Sequence, residues 1–213
     1  MSLITEYKDF APENVLQNLW GGVVCQDNWR FGQKSNDDTV YPMWFQAFYD
    51  TFTKQYKPDI EPFVVEAGNR FMEIVGDEYT LIRNMAAGNT FGQDGDIHSD
   101  WIVSGESLTG VLYLNRRWQD NWGGETIVYD REDSSICEIS KFEAGKLVVF
   151  DGSNPHIGKG PQRACGELRC IIAMQAVKTD AWEAHLKKIG RDKPQETPPQ
   201  IVVEMEDVDI PNN

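Results

Sequence analysis

A succession of short strand-like segments between residues 79 and 178 limits what this chain can fold into. These segments are rich in β-branched and aromatic residues, and Gly, Asn and Asp separate them, as is typical of tight turns. Along the chain they read YTLI, LTGVLYLN, TIVY, KLVVF and LRCIIAMQAV. Several short strands at this spacing predict a β-sandwich or barrel as the core of the protein.

The chain on either side of this region has the periodicity of helices. We expect one helix to start near Ala11 and another at Pro62, because proline favours the first turn of a helix. Between them, Met43–Tyr56 places its aromatic residues at helical spacing and predicts a third helix. After the strands, Thr179 and the following Asp are typical of a helix start, and this last helix is predicted to end at Gly190.

Together these patterns predict one mainly β domain with flanking helices over residues 1–190. We divide it into a helical buttress (1–78), a β core (79–178) and a final helix (179–190), followed by an acidic tail that contains proline (191–213). A chain of this length buries roughly 70% of its unfolded surface, so it needs no disulfide framework. We therefore expect the four cysteines to be free thiols.

Charge and hydropathy exclude several classes of protein. The chain has 20 Lys and Arg against 34 Asp and Glu, a net charge of −14, which disfavours binding to the phosphates of a nucleic acid. No apolar run approaches the roughly 18 residues of a membrane-spanning helix, and the first residues do not have the pattern of a secretory signal. We expect a cytoplasmic protein without a nucleic-acid or membrane partner.

Three residues form the pattern of an iron site. His98 and Asp100 are two positions apart, so on a strand both side chains point to the same face. His156 follows the segment KLVVF, 56 residues after Asp100. Two histidines and one carboxylate are the ligand set of non-haem Fe(II) oxygenases. Without the third residue, His98 and Asp100 could also belong to a surface turn. His156 on its own could be a histidine that caps the loop after a strand.

Arg169 is an unexpected residue inside an apolar strand-like segment. Burying a guanidinium is costly unless it is paired. An anionic ligand that accepts two parallel hydrogen bonds from it removes that cost. A salt bridge to Glu167 or to a more distant acid is the alternative.

These residues, in this order, resemble the Fe(II)- and 2-oxoglutarate-dependent dioxygenase superfamily. The segments YLNRRW (113–118) and WGGET (122–126) resemble its prolyl-4-hydroxylase-like branch, as does the sequence Asn-Pro-His that ends at His156. The resemblance covers about residues 79–178. It implies a double-stranded β-helix, or jelly-roll, core.

The resemblance also implies the cofactors and the residues that bind them. Fe(II) would be held by the two histidines and the aspartate, with 2-oxoglutarate and O2 as cosubstrates and ascorbate as an assay additive. Arg169 would bind the distal carboxylate of 2-oxoglutarate, and Arg163 is its rival for this role. Tyr113 would support the same carboxylate, or else form a cross-strand packing pair, and Thr126 would line the pocket. Because Asp100 retains a carboxylate, hydroxylation is favoured over halogenation.

The implied substrate is a prolyl residue of a protein or peptide, and a free amino acid or other small metabolite is the alternative. The glycine-rich segment 86–96 is predicted to be a mobile lid. Arg116, Arg117, Trp118 and Trp122 are predicted to line the mouth of the pocket.

Three other functions are less consistent with the sequence. The spacing of Arg163 and Arg169 matches the paired arginines of nucleic-acid demethylases, but the net charge opposes that substrate. A jelly-roll binding module without activity would have lost part of the ligand set. A metal-binding cupin hydrolase or isomerase would have more than three histidines.

Overall fold

The computed structural model of the protein describes residues 2–35 and 41–191. The predicted acidic tail (191–213) lies outside the described residues, apart from Arg191. Among the helices of the described ranges, none has the length and apolar character needed to cross a membrane.

Strands dominate the described part of the chain, as predicted. In chain order the elements are β1 (Thr5–Tyr7), α1 (Glu13–Leu19), β2 (Arg30–Gln33), β3 (Met43–Ala47), β4 (Tyr49–Asp50), β5 (Gln55–Tyr56), α2 (Pro62–Val75), β6 (Tyr79–Asn89), β7 (Ser107–Tyr113), β8 (Thr126–Tyr129), β9 (Cys137–Ser140), β10 (Leu147–Asp151), β11 (His156–Gly158), β12 (Arg169–Lys178) and α3 (Thr179–Lys188). A π-helical turn, Trp20–Val24, extends α1. The larger sheet has the order β1-β10-β7-β12-β6-β3-β2, and the smaller sheet has the order β11-β8-β9. A separate hairpin pairs β4 with β5.

Strand β7 shows how the larger sheet separates two apolar layers. Leu112 is buried in the layer that contains α1 and α2, whereas Val111 and Tyr113 are buried in the layer that includes Val128 of the smaller sheet. This division follows from the alternation of side chains along a strand. The two helices therefore cover one face of the larger sheet, and the other face is turned towards the smaller sheet.

Helix α2 packs closely against the larger sheet. It begins at Pro62, as predicted, and ends before Gly76, whose φ of +101° lies in a region that glycine tolerates. Phe71 is fully buried on its inner face, which contributes roughly 1.5–3 kcal/mol of hydrophobic stabilisation. A Cβ atom on Gly110 of β7 would lie 2.7 Å from the Phe71 ring, so the close approach of helix and sheet requires a glycine there.

The helix predicted for Met43–Tyr56 is wrong, because this segment forms β3, β4 and β5. Strand β3 pairs with β6 on one side and β2 on the other, with Trp44 opposite Gly88. The N–H and C=O groups along β6 need partners, and aromatic residues suit a strand at least as well as a helix. The described residues before β6 are therefore a mixture of strands and helices, with α1 and α2 as the buttressing helices.

The last helix is close to the prediction. Helix α3 begins at Thr179 and ends at Lys188, and Gly190 has a φ of +68° just beyond it. Thr179 is the first helical residue and does not act as a cap, since its hydroxyl donates to the carbonyl oxygen of Glu78 (3.1 Å). The helix packs Trp182 against Ile82 of β6.

The four thiols give a direct test of this packing. All four cysteines are free: Cys25 and Cys137 are exposed, and Cys165 and Cys170 are buried. Burial raises the pKa of Cys170 to about 12 and also raises the pKa of Cys165. At pH 8 both buried thiols are therefore protonated as well as shielded from solvent.

We predict that an aromatic disulfide reagent at pH 8 modifies two thiols rapidly in the folded protein and four in denaturant. The absorbance of the released thiolate measures both numbers. Rapid reaction of all four thiols in the folded protein would contradict the burial, and only two reactive thiols in denaturant would reveal a disulfide.

Candidate metal centre and adjoining cavities

His98 and His156 are held side by side by a backbone bridge. The N–H of His98 donates to the carbonyl oxygen of His156 (3.0 Å), and the N–H of His156 donates to that of His98 (2.8 Å). Their ring centroids are 4.3 Å apart. His156 is the first residue of β11, but His98 lies in the irregular segment between β6 and β7 and not on a regular strand. The backbone bridge brings the two imidazoles together. The strand predicted to carry both His98 and Asp100 is wrong, because neither residue lies on a regular strand.

Asp100 lies beside this pair with both carboxylate oxygens hydrogen-bonded. Its N–H donates to the carbonyl oxygen of Gly152 (2.8 Å), just after β10. Thr109 donates to Oδ2 (2.6 Å), and Arg83 donates to Oδ1 (3.2 Å). Burial acts to raise the pKa of Asp100, but the neighbouring His156, Arg83 and the Thr109 hydroxyl hold it below its ordinary value. The carboxylate is therefore ionised at neutral pH.

The three side chains present their donor atoms to a common point. Nε2 of His98 lies 3.8 Å from one Asp100 oxygen, and Nε2 of His156 lies 3.6 Å from the other. The Nδ1 atoms instead face the carbonyl oxygens of Asp96 (2.8 Å) and Asn154 (3.0 Å). In both histidines, the contact with a carbonyl oxygen favours the tautomer with hydrogen on Nδ1. The Nε2 lone pairs are then free for a metal.

The chemistry of this donor set fits a divalent cation. Burial lowers the pKa of His156 and so favours its neutral, ligating form. One ligand atom from each of the three residues lies within 4.8 Å of the others. Two neutral imidazoles and an ionised carboxylate form a face that leaves further coordination positions open.

Arg169 is buried without an ionic partner. The residue is 1% exposed, and its Nε donates to the carbonyl oxygen of Gly124 (2.7 Å). Its Nη2 has no hydrogen-bond partner among the described residues, and none of their carboxylates lies within 4.0 Å of the guanidinium. Burial lowers the pKa of Arg169, but a guanidinium keeps its charge in proteins. A buried cation without an ionic partner fits an anionic ligand. The alternative, a salt bridge from Arg169 to Glu167, is not formed among the described residues.

A cavity of about 130 Å³ connects Arg169 with the metal-ligand set. This is several times the roughly 30 Å³ that one water occupies in the liquid. We call it the inner cavity, and its lining includes Thr126 along with His98, Asp100, His156 and Arg169.

Tyr113 and Arg163 lie outside the lining of the inner cavity. The buried hydroxyl of Tyr113 contacts Thr126 Oγ1 (2.8 Å), and the ring packs against Phe142. Tyr113 is thus placed to orient the Thr126 hydroxyl. Arg163 is an exposed residue of the loop before β12.

The residues predicted to line the pocket mouth lie elsewhere. Arg116 pairs with Glu13 of α1. Trp118 stacks on Phe142 with ring centroids 4.2 Å apart, and its indole N–H donates to the carbonyl oxygen of Gly123 (2.7 Å). None of the four predicted residues, 116, 117, 118 and 122, lines the inner cavity.

Part of the segment predicted to be a lid is a strand. Its first four residues, 86–89, belong to β6 and are buried. All four pair with β12, and residues 86–88 also pair with β3. Residues 90–97 are irregular and connect β6 to His98. Asp94 in this segment forms an ion pair with Lys159 and accepts a hydrogen bond from the N–H of Gly160 (2.7 Å). These contacts anchor the segment to the loop after β11.

Sequence reasoning missed Arg83, which lies next to Asp100. Its side chain alternates regularly with those of Met85 and Ala87 along β6, and all three line the inner cavity. The irregularity of β6 at Ile82, where Gln175 of β12 pairs with Arg83 and Ala176 pairs with Leu81, lies just before Arg83. No local sequence signal places Arg83 beside Asp100, because the backbone of Asp100 is held at Gly152, just after the distant strand β10.

A second cavity opens on the other side of Arg83. It has a volume of about 740 Å³, and we call it the outer cavity. Both cavities share Arg83 and Asp100, and the outer one is also lined by Ile82, Trp101, Glu106, Trp182, His185 and Lys188.

Comparisons with known proteins agree with this geometry. The model of the 2OG-Fe(II) oxygenase superfamily matches residues 83–174. No curated protein sequence matches the chain at a significant level.

Several solved structures share the fold. A prolyl hydroxylase from Trichoplax adhaerens, in complex with a peptide fragment of the hypoxia inducible factor oxygen degradation domain, is 16% identical with a TM-score of 0.62 over 84% of each chain. A prolyl-4-hydroxylase from Pseudomonas putida is 17% identical with a TM-score of 0.59, over 83% of this chain and 92% of that one. The carbocyclase SnoK from nogalamycin biosynthesis is 13% identical with a TM-score of 0.61, over 92% of this chain and 89% of that one.

These findings confirm three expectations. The mainly β jelly-roll core with flanking helices agrees with the similar structures. The cofactors of the superfamily are Fe(II), 2-oxoglutarate and O2, and solved structures of this fold have been described with 2-oxoglutarate bound. The segment that carries the histidines, the aspartate and the buried arginine, residues 83–174, belongs to the 2OG-Fe(II) oxygenase superfamily.

Proposed function

We propose that this protein is a hydroxylase that converts an unactivated C–H bond to an alcohol with Fe(II), 2-oxoglutarate and O2. One observation carries the proposal: a 2-His-1-carboxylate set and a buried guanidinium without a carboxylate partner among the described residues line the same inner cavity. In the proposed reaction, one oxygen atom of O2 enters the substrate and the other enters succinate, with loss of CO2 from 2-oxoglutarate.

Each residue has a role that its surroundings support. His98, Asp100 and His156 would hold Fe(II), which together with 2-oxoglutarate supplies the oxidising chemistry. Arg169 would bind the distal carboxylate of the cosubstrate, held in position by the carbonyl oxygen of Gly124. Thr126 would contact the same carboxylate, and the Tyr113 hydroxyl would fix the direction of the Thr126 hydroxyl. These side chains bind, orient and exclude water, and none of them needs to transfer a proton.

The proposed substrate is a prolyl residue of a protein or peptide. The motifs YLNRRW and WGGET support it, as do the prolyl hydroxylases among the similar structures. A small metabolite is the second candidate, because SnoK and other enzymes of small-molecule biosynthesis share the fold to a similar degree. The outer cavity, next to Asp100, has room for either class of substrate.

We predict that His98→Ala and Asp100→Ala lose stoichiometric Fe(II) binding, because each removes one of three ligands. Anaerobic addition of Fe(II) and 2-oxoglutarate to the unsubstituted protein is expected to produce a weak visible charge-transfer band, and metal analysis gives the iron content. His185→Ala is the matched control, since His185 lies on α3 outside the ligand set. A full band in His98→Ala, or no band in the unsubstituted protein, would contradict the assignment.

We predict that Arg169→Ala weakens 2-oxoglutarate binding by about 10- to 100-fold, the effect of losing hydrogen bonds to a charged group. Iron content should stay unchanged, because Arg169 is not a ligand. Titration of the charge-transfer band measures the affinity, and Arg163→Ala is the control that should match the unsubstituted protein. If Arg163→Ala weakens binding and Arg169→Ala does not, the two arginines have been assigned the wrong way round.

We predict that proline-containing peptides stimulate succinate formation and gain one oxygen atom, measured by mass spectrometry on a prolyl residue. A parallel panel of free amino acids and small metabolites tests the second candidate. Oxygen transfer to members of the second panel alone would show that the enzyme acts on small molecules.

A further inference from the structure

The charges around the inner cavity do not balance once the proposed ligands are bound. The charge of Fe(II) would be offset by the two carboxylates of 2-oxoglutarate, and the charges of Asp100 and Arg169 offset each other. Among the described residues of the lining, two cations then remain, Arg83 and the exposed Lys34. On a chain with a net charge of −14, two such cations beside the metal-ligand set favour an additional anion.

Arg83 is the better placed of these two cations. It lines both cavities, and its side chain is about half exposed (47%). Its only ionic contact among the described residues is the one from Nη1 to Asp100 Oδ1. That oxygen is also the one that faces Nε2 of His98 at 3.8 Å, so a metal held by these ligands would compete with Arg83 for it. A guanidinium has five N–H donors, and most of those of Arg83 are available to a ligand.

The outer cavity offers an apolar surface beside this cation. Ile82 and Trp101 line it together with the buried Trp182 of α3. Among the described residues that line the outer cavity, Glu106 is the one acid besides Asp100, and it accepts a hydrogen bond from the indole N–H of Trp101 (3.0 Å). The same residues include two cations, Arg83 and Lys188, so the cations outnumber the acids once Asp100 is assigned to the metal.

We propose that Arg83 binds a carboxylate of the primary substrate while the apolar body of that substrate lies in the outer cavity against Ile82 and Trp101. This inference rests on the proposed function, because it takes Asp100 as a metal ligand. It makes the substrate an anion whose carboxylate lies close to the carbon that is oxidised. Such a carboxylate belongs either to a free amino acid or other small acid, or to an acidic side chain of a peptide.

The test compares acids with their uncharged amides. Three pairs are titrated anaerobically into the protein loaded with Fe(II) and 2-oxoglutarate: L-proline and L-prolinamide, N-acetyl-Pro-Asp-amide and N-acetyl-Pro-Asn-amide, and cyclohexanecarboxylate and its carboxamide. A shift of the charge-transfer band reports binding next to the metal without turnover. In at least one pair the acid should bind about 10- to 100-fold more tightly than its amide, as is typical of hydrogen bonds to a charged group.

Substitutions then connect this preference to one residue. In Arg83→Gln the affinities of acid and amide should become equal, and Arg83→Lys should retain part of the difference, because it keeps the charge without the paired donors. Arg117→Gln removes the same charge from an exposed residue that lines neither cavity, so it should behave like the unsubstituted protein. A preference confined to the peptide pair identifies a peptide substrate, and a preference in the other pairs identifies a small acid.

Each contrary result overturns the inference in a recognisable way. If the loaded protein shows no preference for acids in any pair, or if the preference survives in Arg83→Gln, Arg83 is not the carboxylate-binding residue. If Arg83→Gln fails to form the charge-transfer band although it folds by circular dichroism, Arg83 positions Asp100 instead. If the unsubstituted protein forms no band at all, the proposed function fails and this inference fails with it.

Discussion

Strand β12 pairs with β6 on one side and with β7 on the other, and the arrangement of the site depends on this double pairing. Alternation along β12 sends Ile172 and Met174 into the layer shared with the helices, and it turns Arg169 and Ile171 to the cavity face. Arg169 itself pairs with Asn89 of β6, and its Nε donates to the Gly124 carbonyl oxygen (2.7 Å), so backbone contacts fix this charged side chain in place. The sheet that forms the apolar core thus also carries the guanidinium proposed to bind the cosubstrate.

The parts of the molecule that could be predicted from sequence are those with local signals. Each of three features can be read from a few neighbouring residues. They are the spacing of His98 and Asp100, the position of His156 after an apolar segment, and the arginine within an apolar run. The segment Met43–Tyr56 could not be assigned correctly in this way, because its aromatic residues suit a helix or a strand. The pairing with β6, more than thirty residues away, determines its structure. The contact between Arg83 and Asp100 was likewise hidden, since it forms only when the backbone of Asp100 is held at Gly152, just after the distant strand β10.

Net charge bears on interactions at long range and says little about those at the site. A charge of −14 describes how the molecule as a whole interacts with large charged partners, which respond to the summed field. A bound ligand instead responds to the few groups within hydrogen-bonding distance. Arg83 and Arg169 contribute only two of the 20 basic residues, yet both face the cavities proposed to hold the cosubstrate and the substrate. An acidic protein can therefore have a binding site suited to anions.

The smaller sheet has a consequence for motion in this enzyme. Its strands are only three or four residues long, whereas β6 and β12 of the larger sheet have 11 and 10 residues. The smaller sheet nevertheless carries His156 and Thr126. Short strands with few buried contacts open at a lower free energy than the core of a domain. A metal shared by His98, Asp100 and His156 would join the smaller sheet to the rest of the chain and suppress this local opening. The loaded and unloaded forms would then differ less in average shape than in how often the smaller sheet separates from the larger one.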